Sequence, residues 1–279
     1  MHNKGKRYPP PENCRESRVL LLARAAMLRL SLPMEGHTSR NAAIPINVRV
    51  KRWIHSLSAP TSTDRADMYL PSHFAESRTR VLHEHIVKRS LGTLFTHGSN
   101  GLDANHIPFD LAANEGELGV LNAHISRANP LWHNVLNGDE VLVVFQAGDA
   151  YISPNWYPTK QESHRQVPTW NYIVVHAHGR VRFRDDERFV RSVVARLTRA
   201  HEASQPVPWK MSDAPADYLD ELLQRLIGLE IEITRLVGKS KLGQDEVGRD
   251  AQGAGNALVQ LGNHEIGDAM LAHATGKPE

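Results

Sequence analysis

The feature that most constrains the fold is a series of short apolar segments, separated by turn residues, between residues 91 and 234. Each segment has the length or the period-two alternation of a β-strand, and no strand–helix–strand rhythm is present. An antiparallel sheet of six or seven such strands leaves unpaired edges unless it closes on itself. The sequence therefore predicts a mainly β fold with peripheral helices (α+β), as a small closed or split β-barrel. The predicted strands are 91–96, 102–109, 118–124, 140–146, 151–153, 170–184 and 229–234.

Helices are predicted mainly in the last third of the chain. Apolar residues at helical spacing indicate one helix over 189–197 and another over 218–227. We expect the second helix to begin near Ser212 as its N-cap and to end at Gly228. Residues 256–274 indicate one weak helix that contains two glycines.

Loops are predicted where glycine and proline cluster. Gly148 and Asp149 are expected to turn the chain between two separate strands. Residues 154–168 contain three prolines and are predicted to form a long irregular loop. Residues 238–243 begin and end with glycine, and we expect a loop there as well.

Charge and composition separate the first 67 residues from the rest. Residues 1–67 carry 12 Lys and Arg against 5 Asp and Glu, a net charge of +7, whereas the remainder carries 21 against 26, a net charge of −5. The first segment is rich in Pro and Arg without a sustained period, so we expect either a disordered basic extension or residues upstream of a true start at Met68. The predicted organisation is this extension, a barrel domain over 68–250 and a C-terminal tail over 251–279.

Cysteine usage and hydropathy exclude several classes of protein. Cys14 is the single cysteine among 279 residues, so neither an internal disulfide nor a cysteine-based zinc site can form. Such low usage is typical of the cytoplasm, where we expect the protein to reside. No run of about 18 apolar residues occurs, so we expect no membrane partner. The mildly acidic body is a poor electrostatic match for DNA, and its residues do not support DNA as a partner.

Two His-x-His pairs are candidates for a metal site. His176 and His178 would share one face of a strand and could converge on a metal, but a solvated or hydrogen-bonded strand face is the preferred interpretation. His83 and His85 fall in a predicted helix, where residues two apart diverge. We therefore predict no metal site. The sequence also lacks a phosphate-loop, a G-x-S-x-G and an H-E-x-x-H motif.

The segment 150–172 has an unusual concentration of rings. It holds five of the chain's 17 aromatic residues, three prolines and Lys160. Stiff aromatic walls beside a cation suit a planar anionic ligand, because the rings cover its face and the cation binds its phosphate. A packed dimer or barrel-end cluster accounts for the same pattern, and both interpretations stay open. The five aromatic residues are Tyr151, Trp156, Tyr157, Trp170 and Tyr172.

A second candidate is the run H-I-S-R-A-N-P at 124–130, which follows a predicted strand and precedes a chain reversal. Arg127 at such a strand end could hold a phosphate through both arms of its guanidinium, or it could cap the turn. The stretch A-N-H-I-P-F at 104–109, which contains His106, is a similar but weaker candidate.

These motifs together resemble the PaiB-type proteins, the FMN-binding negative transcriptional regulators. The resemblance begins with M-Y-L-P-S-H-F at 68–74 and includes A-N-H-I-P-F, H-I-S-R-A-N-P, Y-I-S-P-N-W-Y-P-T-K and V-P-T-W-N-Y. It continues through H-E-A-S-Q-P-V-P-W at 201–209 and I-G-L-E-I-E-I at 227–233, in the order of the family. It does not extend to residues 1–67.

The resemblance implies a split β-barrel related to the pyridoxamine-phosphate-oxidase flavoproteins, a homodimer with FMN at the subunit interface, and a regulatory role. One departure stands out: the family usually reads K-L-S-Q-N where this chain has K-L-G-Q-D at 241–245. The residues expected at the cofactor are His106, His124, Ser126, Arg127, Ser153, Pro154, Trp156, Tyr157, Lys160, Thr169, Trp170, Asn171, Lys241 and Gln244.

Two other functions remain open at this level. One is a flavin-dependent oxidoreductase or a haem-degrading enzyme of the same fold, which turnover of NAD(P)H or loss of haem would reveal. The other is a dimer that has lost its cofactor, which the altered 241–245 segment would permit. Fold alone does not decide among them.

Residues 1–67 are expected to be dispensable for folding, because their composition differs so sharply from that of the body. A chain that begins at Met68 should have the melting temperature of the full chain, measured by differential scanning fluorimetry. A drop of more than about 5 °C would show that the first segment packs on the body, because a shift of that size corresponds to about 1 kcal/mol or more in a domain of this length.

Overall fold

The computed structural model describes residues 68–98 and 100–275. The predicted extension at 1–67 lies outside the described residues, and its disorder stays a prediction. Eight β-strands occur in the described part, all in antiparallel pairs. They are β1 (Ala75–Glu76), β2 (Leu91–Gly98), β3 (Gly101–Pro108), β4 (Asp110–Ala112), β5 (Val120–Ser126), β6 (Glu140–Ile152), β7 (Thr169–Arg184) and β8 (Leu226–Lys241).

The sheet closes on itself through one continuous stretch of chain. Its strands follow the order β3-β2-β6-β7-β8-β5-β4, and β1 adds to the far end of β8. The two outermost strands of that order, β3 and β4, are separated in sequence by Phe109 alone. This stretch therefore pairs with β2 along β3 and with β5 along β4, which closes the barrel. The predicted α+β fold with a barrel is confirmed.

Seven α-helices surround the sheet in the described part of the chain, and three single turns of 3₁₀-helix accompany them. The two longest, α4 and α6, follow the two longest strands, β7 and β8. The α-helices are α1 (Thr79–Lys88), α2 (Leu131–Asn134), α3 (Thr159–Ser163), α4 (Glu187–Glu202), α5 (Ala216–Leu223), α6 (Gly248–Gln260) and α7 (His264–Ala274).

Two separate apolar cores stabilise this arrangement. The larger fills the barrel with inward-facing residues from β2 to β8 and is closed by Leu82 and Ile86 of α1. The smaller lies beyond the barrel, where α6 and α7 pack on the ends of β6 and β7 through Leu258, Ile266 and Met270. The C-terminal tail is therefore anchored by burial of apolar side chains.

Several predicted boundaries are wrong, and the reasons are local. Gly148 does not separate two strands: it is a β-bulge with φ +115° inside β6, where the register shifts between Gln146 and Asp149. The predicted second helix begins at Ala216, after Pro215, rather than near Ser212. It ends at Leu223, because Leu226 and Ile227 are the first residues of β8.

The last strand and the tail also differ from expectation. Residues 238–241 are strand and not loop, because Gly238 pairs with both β1 and β7. The irregular loop predicted at 154–168 contains α3. The tail forms two helices, and Gly262 with φ +83° separates them.

Replacing Gly253 by alanine should destabilise the protein, which is the opposite of the usual effect of this substitution within a helix. An alanine is ordinarily about 1 kcal/mol better than glycine within a helix. A Cβ at Gly253 in α6, however, would lie 2.3 Å from the carbonyl oxygen of Trp156. Gly253→Ala should therefore lower the free energy of unfolding by about 1–3 kcal/mol in urea denaturation. The exposed neighbour Gln252→Ala is the control, and a Gly253→Ala chain as stable as that control would contradict the close packing.

Candidate functional site

The residues expected at the cofactor fall into two groups at opposite ends of the ribbon formed by β7 and β8. Group A contains His124, Ser126 and Arg127, near the end of β7 and the start of β8, and His106 of β3, which is joined to them through the hydrogen bond from Asn129 to the neighbouring Asn105. Group B follows the end of β6 and spans the start of β7 and the end of β8. β7 has 16 residues, and at about 3.3 Å per residue it extends roughly 50 Å. Group B contains Ser153, Pro154, Trp156, Tyr157, Lys160, Thr169, Trp170, Asn171, Lys241 and Gln244.

Arg127 is the cation of group A, and it is held in place by a carboxylate. Its Nη1 and Nη2 donate to the two oxygens of Asp185 at 3.0 and 2.6 Å, and its Nε donates to the carbonyl of Gln224 at 3.0 Å. The Arg127 guanidinium lowers the pKa of Asp185 through this hydrogen bond. Both side chains are well exposed, so the pair is screened and exchangeable.

Other polar contacts organise the segment around Arg127. The indole Nε1 of Trp132 donates to the carbonyl of Arg127 at 2.9 Å, and Asn129 Nδ2 donates to Asn105 Oδ1 at 2.9 Å. His106, on the outer face of β3, shares a 3.0 Å hydrogen bond with Thr93 of β2. The reversal after β5 is thus tied to β3, which keeps group A together.

His124 is the least satisfied member of group A. Its Nδ1 is buried and has no hydrogen-bond partner within the described residues. Burial lowers the pKa of His124, because the charged imidazolium would be poorly solvated there. Gly228 stands opposite His124 in the register, and Phe189 of α4 covers that glycine.

Lys160 and the residues before it form the outer part of group B. Ser153 caps the 3₁₀ turn Pro154–Trp156 by accepting from the Asn155 backbone N–H at 3.3 Å. The Lys160 ammonium donates to the side chain of Asn155. Trp170 is 56% exposed and packs edge-on against Tyr151, with 6.0 Å between ring centroids. This part of group B presents rings and a cation to the surface.

Lys241 and Gln244 hold the inner part of group B. The Lys241 ammonium donates to Thr169 Oγ1 at 2.7 Å and to the Trp170 carbonyl at 2.8 Å, and it lies 3.4 Å from Asn171 Oδ1. Burial lowers the pKa of Lys241. Gln244 accepts from the Leu242 N–H at 2.7 Å. Gly243 has φ +79°, a conformation that glycine adopts more easily than the serine usual in the family.

Tyr157 is the counterpart of His124 in group B. It is 2% exposed, and its hydroxyl is buried without a hydrogen-bond partner in the described range. Burial raises the pKa of Tyr157, and the nearby carboxylates of Glu246, Asp245 and Asp250 act in the same direction. Each group therefore contains one buried polar atom that no described residue satisfies, which calls for an explanation.

Sequence reasoning missed a buried lysine beside group B. Lys239 is 6% exposed and lies 5.3 to 6.0 Å from the ring centroids of Tyr69, Phe74 and Tyr172. Its ammonium donates to the Tyr69 carbonyl at 3.0 Å. The motif at 68–74 matches the family, but the sequence does not show that it contacts β8. That contact follows from the pairing of β1 with β8.

The two His-x-His pairs are placed as their periodicity predicted. His176 and His178 share the outer face of β7, and burial lowers the pKa of His176, with a smaller contribution from Arg235. His83 contacts the Leu118 carbonyl at 2.9 Å through Nε2. No group of three or more potential metal ligands occurs within residues 68–98 and 100–275. No helix among these residues is both long and apolar enough to cross a bilayer.

The outer face of the β3-β2-β6-β7-β8 sheet carries large apolar side chains where water would ordinarily meet polar ones, with Thr93 and His106 paired among them. Leu102, Leu91 and Phe95 are 83, 64 and 40% exposed. The strand register continues this surface onto β6 and β7, where Leu142 pairs with His178 and Val144 with His176. The outer sheet face, as we call this surface, consists of Leu91, Phe95, Leu102, Ala104, Leu142, Val144, Val174, His176 and Val237.

A barrel closed by a strand that changes partner, with helices packed at its ends, defines the split β-barrel class. The family described as "Putative FMN-binding domain" matches residues 68–235. The chain therefore belongs to this FMN-binding family, and the resemblance to PaiB-type proteins is confirmed.

The chain is similar to proteins from fungi and bacteria. An uncharacterized protein of Emericella nidulans is 33% identical over 230 residues, which cover 70% of this chain and 92% of that protein. Protease synthase and sporulation protein PAI 2 of Bacillus subtilis is 28% identical over 200 residues, covering 71% and 91%. Among solved structures, the flavocytochrome Anf3 of Azotobacter vinelandii has a TM-score of 0.45 at 13% identity, covering 61% of this chain and 70% of that one.

Burial of His124 should make the stability of the protein depend on pH. Because the pKa of His124 is lowered by folding, the folded chain binds fewer protons than the unfolded chain below pH about 6.5. The free energy of unfolding should therefore fall as the pH drops from about 6.5 through the lowered pKa. His124→Asn should reduce that fall, measured as the difference between urea midpoints at about pH 7.5 and about pH 5.5. An equal difference in both chains would contradict the assignment.

Proposed function

We propose that this chain is a cytoplasmic, flavin-binding regulator that forms a homodimer and holds FMN between its subunits. Membership of the FMN-binding family supports a flavin ligand. The main support for the dimer is the outer sheet face. Groups A and B lie at the two ends of the β7–β8 ribbon that forms part of this face. The regulatory role rests on similarity to the Bacillus subtilis PAI 2 protein, whose name refers to protease synthesis and sporulation.

The outer sheet face supports a second copy of the chain as its partner. Exposed apolar side chains on five neighbouring strands are unusual for a solvated barrel, and exposed apolar patches with polar residues among them mark interaction sites. A two-fold interface uses the same surface on both subunits. Within one chain, groups A and B are separated by the length of β7. A two-fold rotation can bring group A of one subunit toward group B of the other.

The residues of the two groups fit FMN in their chemistry. Arg127 and Lys160 are the cations for the phosphate, and Trp156, Trp170 and Pro154 supply flat apolar surface for the ring system. The buried His124 Nδ1 and Tyr157 hydroxyl lack partners in the described part of the chain, as expected where a ligand or a second subunit completes a site. When bound, FMN supplies a ring system that can exchange two electrons.

Arg127 must leave Asp185 to reach a phosphate. The guanidinium already forms a fork toward a carboxylate, and a phosphate offers the same planar pairing with a greater charge. The exposure of both side chains makes the exchange accessible. The Asp185 carboxylate is thus a competitor that keeps Arg127 oriented.

Direct DNA binding is not part of the proposal. A helix-turn-helix joins its helices through three or four residues, whereas α4 and α5 are separated by residues 203–215. The body from Met68 has a net charge of −5, which opposes binding to a phosphate backbone. A regulator of this kind would act through another partner.

The flavin proposal is tested by comparing FMN with riboflavin, which lacks the phosphate. Arg127→Ala should weaken FMN about tenfold or more and riboflavin much less, measured by quenching of flavin fluorescence. Arg127→Lys should recover only part of the loss, because lysine is a point charge and not a fork. Asp185→Asn is the matched variant: it removes the partner of Arg127 and should leave FMN affinity equal or higher. If Asp185→Asn loses FMN as Arg127→Ala does, Arg127 acts on the fold and not on the phosphate.

The dimer proposal is tested on the outer sheet face. Phe95→Glu should yield a monomer by light scattering and should lose FMN at the same time, because a charge cannot be buried there without a partner. Val207→Glu, at an exposed position outside that face, should remain a dimer with unchanged FMN affinity. A Phe95→Glu monomer that keeps its FMN affinity would place the flavin within one subunit and overturn the interface site.

A further inference from the structure

A cavity of about 450 Å³ lies between the C-terminal half of α4 and the loop that follows it. Its size is within the range of small-molecule sites in proteins. None of the fourteen residues expected at the flavin lines it. Part of it is built from the segment H-E-A-S-Q-P-V-P-W at 201–209, for which the flavin proposal gives no role.

One wall of the cavity is a single stripe of α4. The helix buries Val190, Val193 and Leu197 against the rest of the chain. A neighbouring stripe carries Ala195, Thr198, Arg199 and Glu202, with the three-, four- and seven-residue spacing of one helix face, and it lines the cavity. The short side chain of Ala195 leaves room at the base of this wall.

The opposite wall is an aromatic loop that is held in place by hydrogen bonds. Trp209 is 43% exposed, so part of its indole remains available, and Pro208 and Met211 extend the apolar surface. The Trp209 backbone N–H donates to the Glu202 carboxylate at 2.9 Å. The Lys210 N–H donates to Asp213 at 2.9 Å. Because these hydrogen bonds form within the chain itself, little further ordering would be needed on binding.

Two cations border this apolar space. Arg199 and Lys210 line the cavity, and neither side chain makes a hydrogen bond or an ion pair within the described residues. By contrast, Arg191 and Arg196 of the same helix bind Asp220 and Asp110. The carboxylate of Glu202 is already engaged by the Trp209 N–H. The groups that face a ligand are therefore a flat indole and two positive charges, against which stands the one negative charge of Glu202.

We propose that this cavity binds a small aromatic anion, a carboxylate with one or two rings. The ring would stack on Trp209, and the carboxylate would pair with the guanidinium of Arg199 while Lys210 adds charge. The site is independent of the flavin proposal, since it shares no residue with groups A and B. The indole indicates a ring, the two cations indicate a negative charge, and the cavity volume indicates a small ligand.

The test uses 2-naphthoate and its neutral isostere 2-naphthamide on the full chain, in saturation-transfer NMR titrations with and without excess FMN. Naphthoate should bind at least about fivefold more tightly than the amide, because one charge-assisted pair distinguishes them. Excess FMN should not displace it. Equal affinity for the two probes, or complete displacement of naphthoate by FMN, would overturn the proposal without reference to any variant.

Variants locate the site. Arg199→Gln should remove the preference for the carboxylate, whereas Arg188→Gln, at an exposed arginine of the same helix outside the cavity, should retain it. Trp209→Leu should weaken both probes about tenfold through loss of the stacking surface. Unchanged naphthoate binding in Arg199→Gln would overturn the assignment, and melting temperatures report whether each variant is folded. Competition by inorganic phosphate as strong as that by naphthoate would show a site for anions without a ring, and would overturn the aromatic class.

Discussion

The barrel depends on one change of partner, at Phe109. The chain pairs with β2 up to Pro108 and with β5 from Asp110 onward, so a single stretch joins both ends of the sheet. Phe109 is 2% exposed and packs edge-on against Phe145, with 5.8 Å between centroids. Gly92 makes this possible, because a Cβ there would lie 2.8 Å from Phe145 and 3.1 Å from Phe109. Closure also leaves apolar residues on the outer sheet face, where the second subunit is proposed to bind.

In the proposed dimer, the length of the β7–β8 ribbon is the reason that one chain does not complete the flavin site. The ribbon carries Arg127 and Asp185 near one end and Lys241 with Thr169 near the other. Both ends are well packed, yet each retains a buried polar atom without a partner in the described part, His124 Nδ1 and Tyr157 Oη. Two half-sites of this kind are the expected form of a site shared across a two-fold axis.

Periodicity predicted the barrel because its strands alternate cleanly, and the motifs indicated which segments carry chemistry. Two of the wrong boundaries occur at glycines, because glycine is found both in turns and within strands. Gly148 indicated a turn but forms a bulge, and Gly238 indicated a loop but allows β1 to approach β8 closely. The separation of Arg127 from Lys160 could not be inferred either, since it depends on which strands pair and over what length. The Lys239 contacts depend on the same long-range pairing.

Helix α4 connects the two proposed sites. Its N-terminal side begins at the Asp186 cap, next to the Asp185 that binds Arg127, and its C-terminal half forms the wall of the cavity at Trp209. A helix of 16 residues is about 24 Å long, and α4 reaches from the Asp186 cap to the cavity wall. If an aromatic anion displaces α4, the Arg127–Asp185 pair moves with it, and FMN affinity changes. Reciprocity then requires FMN to change the affinity for the anion by the same factor. A factor different from one would show that the two sites are coupled, and a factor of one would mean that α4 transmits nothing between them.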